Sequence, residues 1–155
     1  MEEILINVSI SVVVILILVI PLYILSKKSS KEKVRNLWNK FDQFCMKNAL
    51  QVTDKELIGN KVFGYDQVKN IMVLVFIMGD VEEEYLIDLD KSSKGTANKI
   101  ESKNGGFEVK LAYVSSTSQK HEILFYRHFR DDENDLIPLL KKAESISALI
   151  NKIEL

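Results

Sequence analysis

The segment that decides the fold reads IMVLVFIM over residues 71–78, GD over 79–80 and VEEEYLIDL over 81–89. The first run is apolar and rich in β-branched residues. The second alternates apolar with polar side chains, which is the period of a half-buried strand. Gly-Asp between them is a tight-turn dipeptide. These residues therefore predict two antiparallel strands joined by a short turn.

The strand pattern extends on both sides of this pair. Residues 92–103 are polar and weakly patterned, and they fit either an edge strand or a loop. Asn104-Gly105-Gly106 is a hairpin signal before another alternating run. The sequence predicts five to seven mostly antiparallel strands in all. The remaining ones are expected at Glu56–Asp66, with possible bends at Gly59 and Gly64, at Phe107–Tyr113 and at Glu122–Phe129, with turns at 67–70 and 115–119.

Two amphipathic helices flank the strands. Residues 31–50 carry apolar side chains at three- and four-residue steps, which predicts a helix that packs on the sheet. Its stripe is Val34, Leu37, Trp38, Phe41, Phe44, Cys45 and Ala49. A C-terminal helix has the stripe Leu136, Leu139, Leu140, Ala143, Ile146, Ile150 and Ile153. Because no helix separates the strands, a doubly wound parallel sheet is excluded and the expected class is α+β.

An apolar run precedes all of these elements. Ile4–Leu25 contains 22 residues without a charge, and a helix of that length spans roughly 33 Å, close to the hydrocarbon thickness of a bilayer. The residues before it are acidic, and no small-residue cleavage site follows it, so a cleaved signal peptide is disfavoured. The run predicts a transmembrane helix.

The charge beside this run is strongly asymmetric. Between Lys27 and Lys40 there are six basic residues and one acidic residue, whereas Glu2 and Glu3 precede the run. The positive-inside rule then predicts a single-pass protein of the cell membrane, with its N-terminus outside and its domain in the cytoplasm. The residues expected at the membrane interface, in contact with the lipid bilayer, are Lys27, Lys28, Lys31, Lys33 and Arg35.

The predicted organisation has four parts. Residues 1–3 form a short extracytoplasmic end, and residues 4–25 form the transmembrane helix. Residues 26–50 form a basic juxtamembrane segment and amphipathic helix, and residues 51–155 form an antiparallel sheet domain closed by the C-terminal helix. Cys45 is the only cysteine, so no intrachain disulfide is possible.

The order of elements in residues 50–155 resembles the pleckstrin-homology-like fold, as found in uncharacterised bacterial membrane-anchored proteins. The resemblance is carried by ELIGNKVFGYD at 56–66, YLIDL at 85–89 and the closing helix. It implies a bent antiparallel sheet or open barrel closed by the C-terminal helix, and it brings no catalytic residues. Phosphoinositide-binding members use several basic residues around the first hairpin. Here Tyr65–Asn70 carries only Lys69, so headgroup binding of that kind is not implied.

Several residues could carry chemistry, and each has a simpler structural interpretation. Asp88 and Asp90 form a D-x-D after an apolar strand, which could hold a divalent ion, but enzymes with that site have far larger domains. The acidic run 131–135 suits a helix N-terminus, where Asp135 could cap. His121 and His128 lie seven residues apart in one predicted strand, so they point to opposite faces and cannot share a metal ion.

Two basic clusters remain. Arg127, His128 and Arg130 could bind a carboxylate or phosphate, although solvated charge is the simpler interpretation. The second cluster, in and beside residues 92–103, could contact a membrane or protect an exposed strand edge from aggregation. Its members are Lys91, Lys94, Lys99 and Lys103.

The leading hypothesis is a non-enzymatic, membrane-tethered binding or scaffolding module. The alternative is a small accessory subunit of a membrane complex that interacts through its transmembrane helix, where Asn7, Ser9 and Ser11 are the polar residues. An enzyme ranks third. No catalytic residue, cofactor or metal site is predicted, and the even charge of the domain argues against nucleic acid. The identity of a protein partner and the oligomeric state stay open.

Overall fold

The computed structural model describes Val19 and residues 30–78, 81–101 and 105–152. The chain divides into two compact units, Met1–Asn36 and Leu37–Leu155. Apart from Val19, the predicted span Ile4–Leu25 lies outside the described residues. Among the residues that are described, no helix combines the length and the hydropathy needed to cross a bilayer.

The described elements are two helices and seven strands in the predicted order. They are α1 over residues 30–47, β1 (Asp54–Ile58), β2 (Lys61–Asp66), β3 (Ile71–Met78), β4 (Val81–Asp88), β5 (Ser92–Glu101), β6 (Phe107–Ser115), β7 (Lys120–Arg127) and α2 (Leu136–Lys152). They form a four-stranded sheet, β1-β2-β3-β4, and a three-stranded sheet, β5-β6-β7. Every pairing in both sheets is antiparallel, which confirms the α+β class.

The prediction of one strand over Glu56–Asp66 was wrong. The segment contributes to a hairpin, in which Ile58 pairs with Lys61 across the two-residue turn Gly59-Asn60. Gly59 has a φ of +58°, the left-handed conformation that the first central residue of a two-residue hairpin turn requires. Gly64 is not a bend but a regular residue of β2.

Other boundaries moved by a few residues. Residues 92–103, left open as strand or loop, contain β5, which is an edge of the three-stranded sheet. Helix α1 ends at Lys47, so Ala49 does not belong to its stripe; it is exposed and has a φ of +51°. Strand β7 ends at Arg127, two residues before the predicted end at Phe129.

The burial pattern explains why β3 is apolar throughout whereas β4 alternates. One face of β3 packs in the main core with both sheets and α2, and its other face lies under α1. Strand β4 buries one face only, represented by Ile87. The contacts under α1 join Leu37, Phe41 and Cys45 to Val62, Val73 and Val75. The predicted packing of the first helix on the sheet is therefore confirmed.

Helix α2 closes the main core and is fixed to the edge strand β5. Its inward residues are Leu139, Ala143, Ile146 and Ile150. Beyond them, the Asn151 side-chain oxygen accepts from the Gly95 N–H and its amide donates to the Gly95 carbonyl, both at 2.9 Å. This pair of bonds satisfies a backbone position at the irregularity in β5 between Ser93 and Thr96.

Candidate functional site

A buried ion pair joins the first hairpin to the segment after β7. The Lys61 ammonium lies 2.9 Å from Asp131 Oδ1, and the two side chains are 0% and 2% exposed. Lys61 also donates to Asn60 Oδ1 at 2.6 Å and sits 5.6 Å from the centre of the Phe76 ring. Asp131 Oδ2 accepts from the Arg127 N–H at 2.8 Å. Both charges are thus desolvated and fully engaged, as a stable buried pair requires.

The burial of Lys61 was not predicted, although the two-residue period of β2 indicates it. Lys61 shares the two-residue phase of Phe63 and Tyr65, both of which face the main core. A lysine in that phase must be buried with a partner. The partner, Asp131, lies 70 residues away in the sequence, so no local pattern could identify it.

A depression of about 430 Å³ lies beside this ion pair. It is lined by Gly59, Asn60, Arg130, Asp131, Asp132, Asn134 and Asp135. The pKa of the Asp135 carboxyl is raised, mainly by burial and to a smaller extent by the negative charge of Asp132. The positive charge of Lys61 opposes this shift. The carboxylate that caps the turn before α2 is Asp132, which accepts from the Asn134 N–H at 2.9 Å. The expectation that Asp135 caps this helix start was therefore wrong.

Asp66, the last residue of β2, is a second buried carboxylate, and it connects β2 to the loop that follows α1. It accepts from the backbone N–H groups of Gln51, Val68 and Lys69 at 2.7 to 2.9 Å. The bond from Lys69, followed by that from Gln51, lowers the pKa of Asp66 below its ordinary value of 3.8. The Asp66 carboxylate therefore holds the turn at 67–70 and the loop after α1 in place.

We expect Asp66 to make stability depend on pH in the acid range. Its pKa is lower in the folded chain than in the unfolded chain, so its contribution is complete above the ordinary value of 3.8 and is lost as the pH falls through the lower, folded value. Asp66→Asn should remove this part of the acid destabilisation. Urea unfolding of the detergent-solubilised chain, followed by Trp38 fluorescence at several pH values, measures it.

The matched control is Asp54→Asn, because Asp54 is an exposed carboxylate on the neighbouring strand β1. This variant should keep the acid slope of the unchanged chain. Equal acid slopes in the Asp66→Asn variant and the unchanged chain would show that the three backbone bonds do not hold Asp66 ionised.

The D-x-D carboxylates have structural partners at the end of β4. Asp88 accepts from the Lys91 N–H at 3.2 Å and pairs with the Lys91 ammonium at 2.9 Å. Asp90 accepts from the Asn70 side-chain amide at 2.6 Å. Across the described ranges, no group of three or more His, Cys, Asp or Glu side chains is placed to hold a metal ion.

The two histidines occupy separate environments. His121 is exposed in β7 and stacks on Tyr113 with 5.0 Å between ring centres. His128 follows the end of β7, where its ring lies against Gly106 and 4.1 Å from the ring of Phe129. The expected basic cluster with Arg127 is also divided, because the Arg127 guanidinium pairs with Glu108 at 2.9 Å.

The predicted membrane-interface residues are only partly described. Lys31, Lys33 and Arg35 are exposed on α1, whereas Lys27 and Lys28 lie outside the described residues. Cys45 is buried under α1, and burial raises the pKa of its thiol. Its side chain packs with Val62, Val73 and Val75, so Cys45 is part of the core under α1.

Both buried carboxylates are fixed by hydrogen bonds or by an ion pair. The buried carboxylates Asp66 and Asp131 are bonded to backbone N–H groups or to Lys61, and no buried side-chain nitrogen or oxygen in the described part of the chain lacks a partner. No family model matches the chain, and no curated protein or solved structure is detectably similar to it.

Proposed function

We propose that the protein is a non-enzymatic, membrane-tethered binding or scaffolding module with a cytoplasmic sheet domain. The observation that carries the proposal is the uncharged run Ile4–Leu25, with acidic residues before it and a basic segment after it. A run of this length favours a membrane helix, and the excess of lysine favours a cytoplasmic domain.

We also propose that the sheet domain has the pleckstrin-homology-like fold. Four antiparallel strands followed by three and then by a C-terminal helix that packs in the common core support this assignment. A fold of this kind presents loops and strand edges around a fixed core, and partners are bound there in many unrelated ways. The structural use of Lys61, Asp66 and Asp131 favours a binding role over a catalytic one.

The tether and its orientation can be tested with a reporter fused after Leu155. We expect a reporter enzyme that is active only outside the cytoplasm to stay silent, and one that is active only inside to give a signal. The reason is that the basic residues between Lys27 and Lys40 resist translocation. Activity in membrane and soluble fractions of cells that produce each fusion measures both orientation and membrane retention.

Reversing the charge bias provides the control. Glu2→Lys and Glu3→Lys, combined with glutamine in place of the basic residues at 27–35, should increase the signal of the outside reporter. A chain found in the soluble fraction, or a strong outside signal from the unchanged chain, would contradict the proposal. Crosslinking in native membranes, read by mass spectrometry, would then identify whether partners contact the sheet domain.

A further inference from the structure

Strand β1 is an edge of the four-stranded sheet, and its outer side carries unpaired backbone groups. Ile58 pairs with Lys61 across the two-residue turn, and the residues of an antiparallel pair alternate between bonded and non-bonded positions. Leu57 and Lys55 therefore hold non-bonded positions, so their N–H and carbonyl groups point away from β2. Within the described ranges, no other backbone group bonds to them from the open side. Such an edge can accept an extended chain as a further strand.

The side chains of β1 leave this edge accessible. Lys55 pairs with Asp42 of α1 at 2.7 Å, and its ammonium lies 5.5 Å from the centre of the Phe41 ring. Leu57 packs in the same cluster under α1. Lysine side chains usually protect a strand edge by projecting charge across it. Lys55 is instead held against α1, on one face of the sheet.

The edge of the three-stranded sheet formed by β5 is protected by comparison. The side chain of Asn151 bonds to both the N–H and the carbonyl of Gly95. The register of β5 is interrupted between Ser93 and Thr96, and such bulges hinder the addition of a strand. Strand β1 pairs with β2 in continuous register and has no such interruption.

A groove lies beside the open edge, on the face of β1 that is turned toward α2. Its volume is about 260 Å³, and it is lined by Glu56 and Ile58 of β1 and by Pro138, Lys141, Lys142 and Ser145 of α2. Glu56 and Ile58 are alternate residues of one strand, so an added strand would direct its own alternate side chains to this face. Ile58 and Pro138 give the groove an apolar part. The groove therefore suits a segment in which apolar and polar residues alternate.

The groove also carries an excess of positive charge. The ammonium of Lys142 lies 2.7 Å from the Glu56 carboxylate, so these two charges balance. Lys141 is exposed, and no carboxylate in the described part of the chain lies within ion-pair distance of it. A carboxylate on the added segment would complement this charge.

The charges of β1 favour a different chain over a second copy of this one. In an antiparallel pair of two β1 strands, a two-fold axis at Asp54, Lys55 or Glu56 would place that residue opposite its own copy. Like charges directly opposite each other destabilise a strand pair. The occupant that fits the edge is therefore an acidic segment of another protein.

We propose that the open edge of β1 binds an extended segment of a partner protein, which adds as a further strand to the four-stranded sheet. Apolar side chains of the segment enter the groove beside Ile58 and Pro138, and a carboxylate among its polar residues pairs with Lys141. The inference rests on the proposed binding role and adds to it a defined surface and a class of partner.

The test is a selection from a display library of random peptides with the detergent-solubilised full chain, followed by affinity measurements on each enriched peptide. We expect the enriched peptides to share an alternating apolar pattern and at least one acidic residue. Lys55→Pro removes an outward N–H and places a ring on the edge, so it should weaken binding roughly tenfold or more. Lys55→Ala is the matched control, because it removes the same side chain and keeps the N–H, and it should bind as the unchanged chain does.

Two further measurements locate the bound peptide. Lys141→Glu should weaken binding several-fold, whereas Lys152→Glu, which changes an exposed lysine near the end of the same helix, should have little effect. Amide hydrogen exchange of residues 54–58 in the unchanged chain should slow when peptide is bound, and that of β5 should not. The exchange measurement needs no variant, so it decides the result if Lys55→Pro alters the circular dichroism spectrum.

Four results would overturn the inference. Equal affinity of the Lys55→Pro and Lys55→Ala variants, or unchanged exchange in β1, would reject the edge and leave a binding role elsewhere on the domain intact. Insensitivity to Lys141→Glu would reject the acidic partner. A chain that is dimeric in light scattering and becomes monomeric with Lys55→Pro would assign the edge to a second copy. Failure to enrich any peptide would reject peptide binding, while the reporter fusions test the tether separately.

Discussion

Asp131→Ala should lower the free energy of unfolding by about 3–5 kcal/mol, because it leaves the Lys61 ammonium buried without its counterion. Lys61 is fully buried in the inward phase of β2, directly after the turn Gly59-Asn60. The same change also removes the acceptor of the Arg127 N–H. Lys61→Ala should have a similar effect, since it leaves Asp131 desolvated and removes most of a buried side chain.

Thermal and urea unfolding of the detergent-solubilised chain would measure these losses. Lys61→Met combined with Asp131→Leu is the informative double variant, because an apolar pair of similar volume removes both desolvation costs. We expect it to be clearly more stable than the Asp131→Ala variant. Glu122→Ala is the surface control: it breaks an exposed pair with Lys110, which should cost about 1 kcal/mol or less. Equal effects of Asp131→Ala and Glu122→Ala would show that the Lys61 pair is solvated.

The central strands could be predicted from the sequence because the burial of each strand determines the spacing of its apolar residues. Strand β3 is covered on both faces and reads as an unbroken apolar run, and β4 is covered on one face and alternates. The boundaries at residues 71, 78 and 81 were predicted correctly for the same reason. At each of these positions a turn signal lies directly next to the end of a strand pattern, so two independent signals agree.

The first hairpin was missed because β1 lacks such a signal. Asp54, Lys55 and Glu56 are all exposed, so no apolar alternation separates β1 from β2. The turn Gly59-Asn60 was a usable indication, since Gly-Asn between two strands favours a two-residue turn. Gly59 was instead interpreted as a bend within a single strand.

The structural role of the charged residues could be predicted only in part. Asp88 was expected at a strand end, and its partner Lys91 is local. Asp131 was placed in an acidic helix start. Its burial depends on the ion pair with Lys61, and no local pattern predicts that pair because the two residues lie 70 positions apart. The membrane anchor and its basic flank remain predictions, because most of those residues lie outside the described ranges.

Phe41→Ala should also destabilise the domain by about 3–5 kcal/mol, the usual cost of deleting a buried phenylalanine. The Phe41 ring is fully buried between α1 and the four-stranded sheet. It meets Trp38 edge to face and lies directly over Gly64. Met46→Ala on the same helix is the matched control, because Met46 is mostly exposed and its loss should cost about 0.5 kcal/mol or less.

The close approach to Gly64 makes this packing testable from the opposite side. A Cβ at position 64 would overlap the Phe41 ring and lie 2.6 Å from Val52, so Gly64→Ala should cost about 1–3 kcal/mol by overpacking. Adding Phe41→Leu should recover part of that cost, because the shorter side chain vacates the space. Additive losses in the double variant, together with a small effect of Phe41→Ala, would mean that α1 does not pack on β2. Recovery would instead establish that the part of α1 from Leu37 onward is an integral part of the sheet domain.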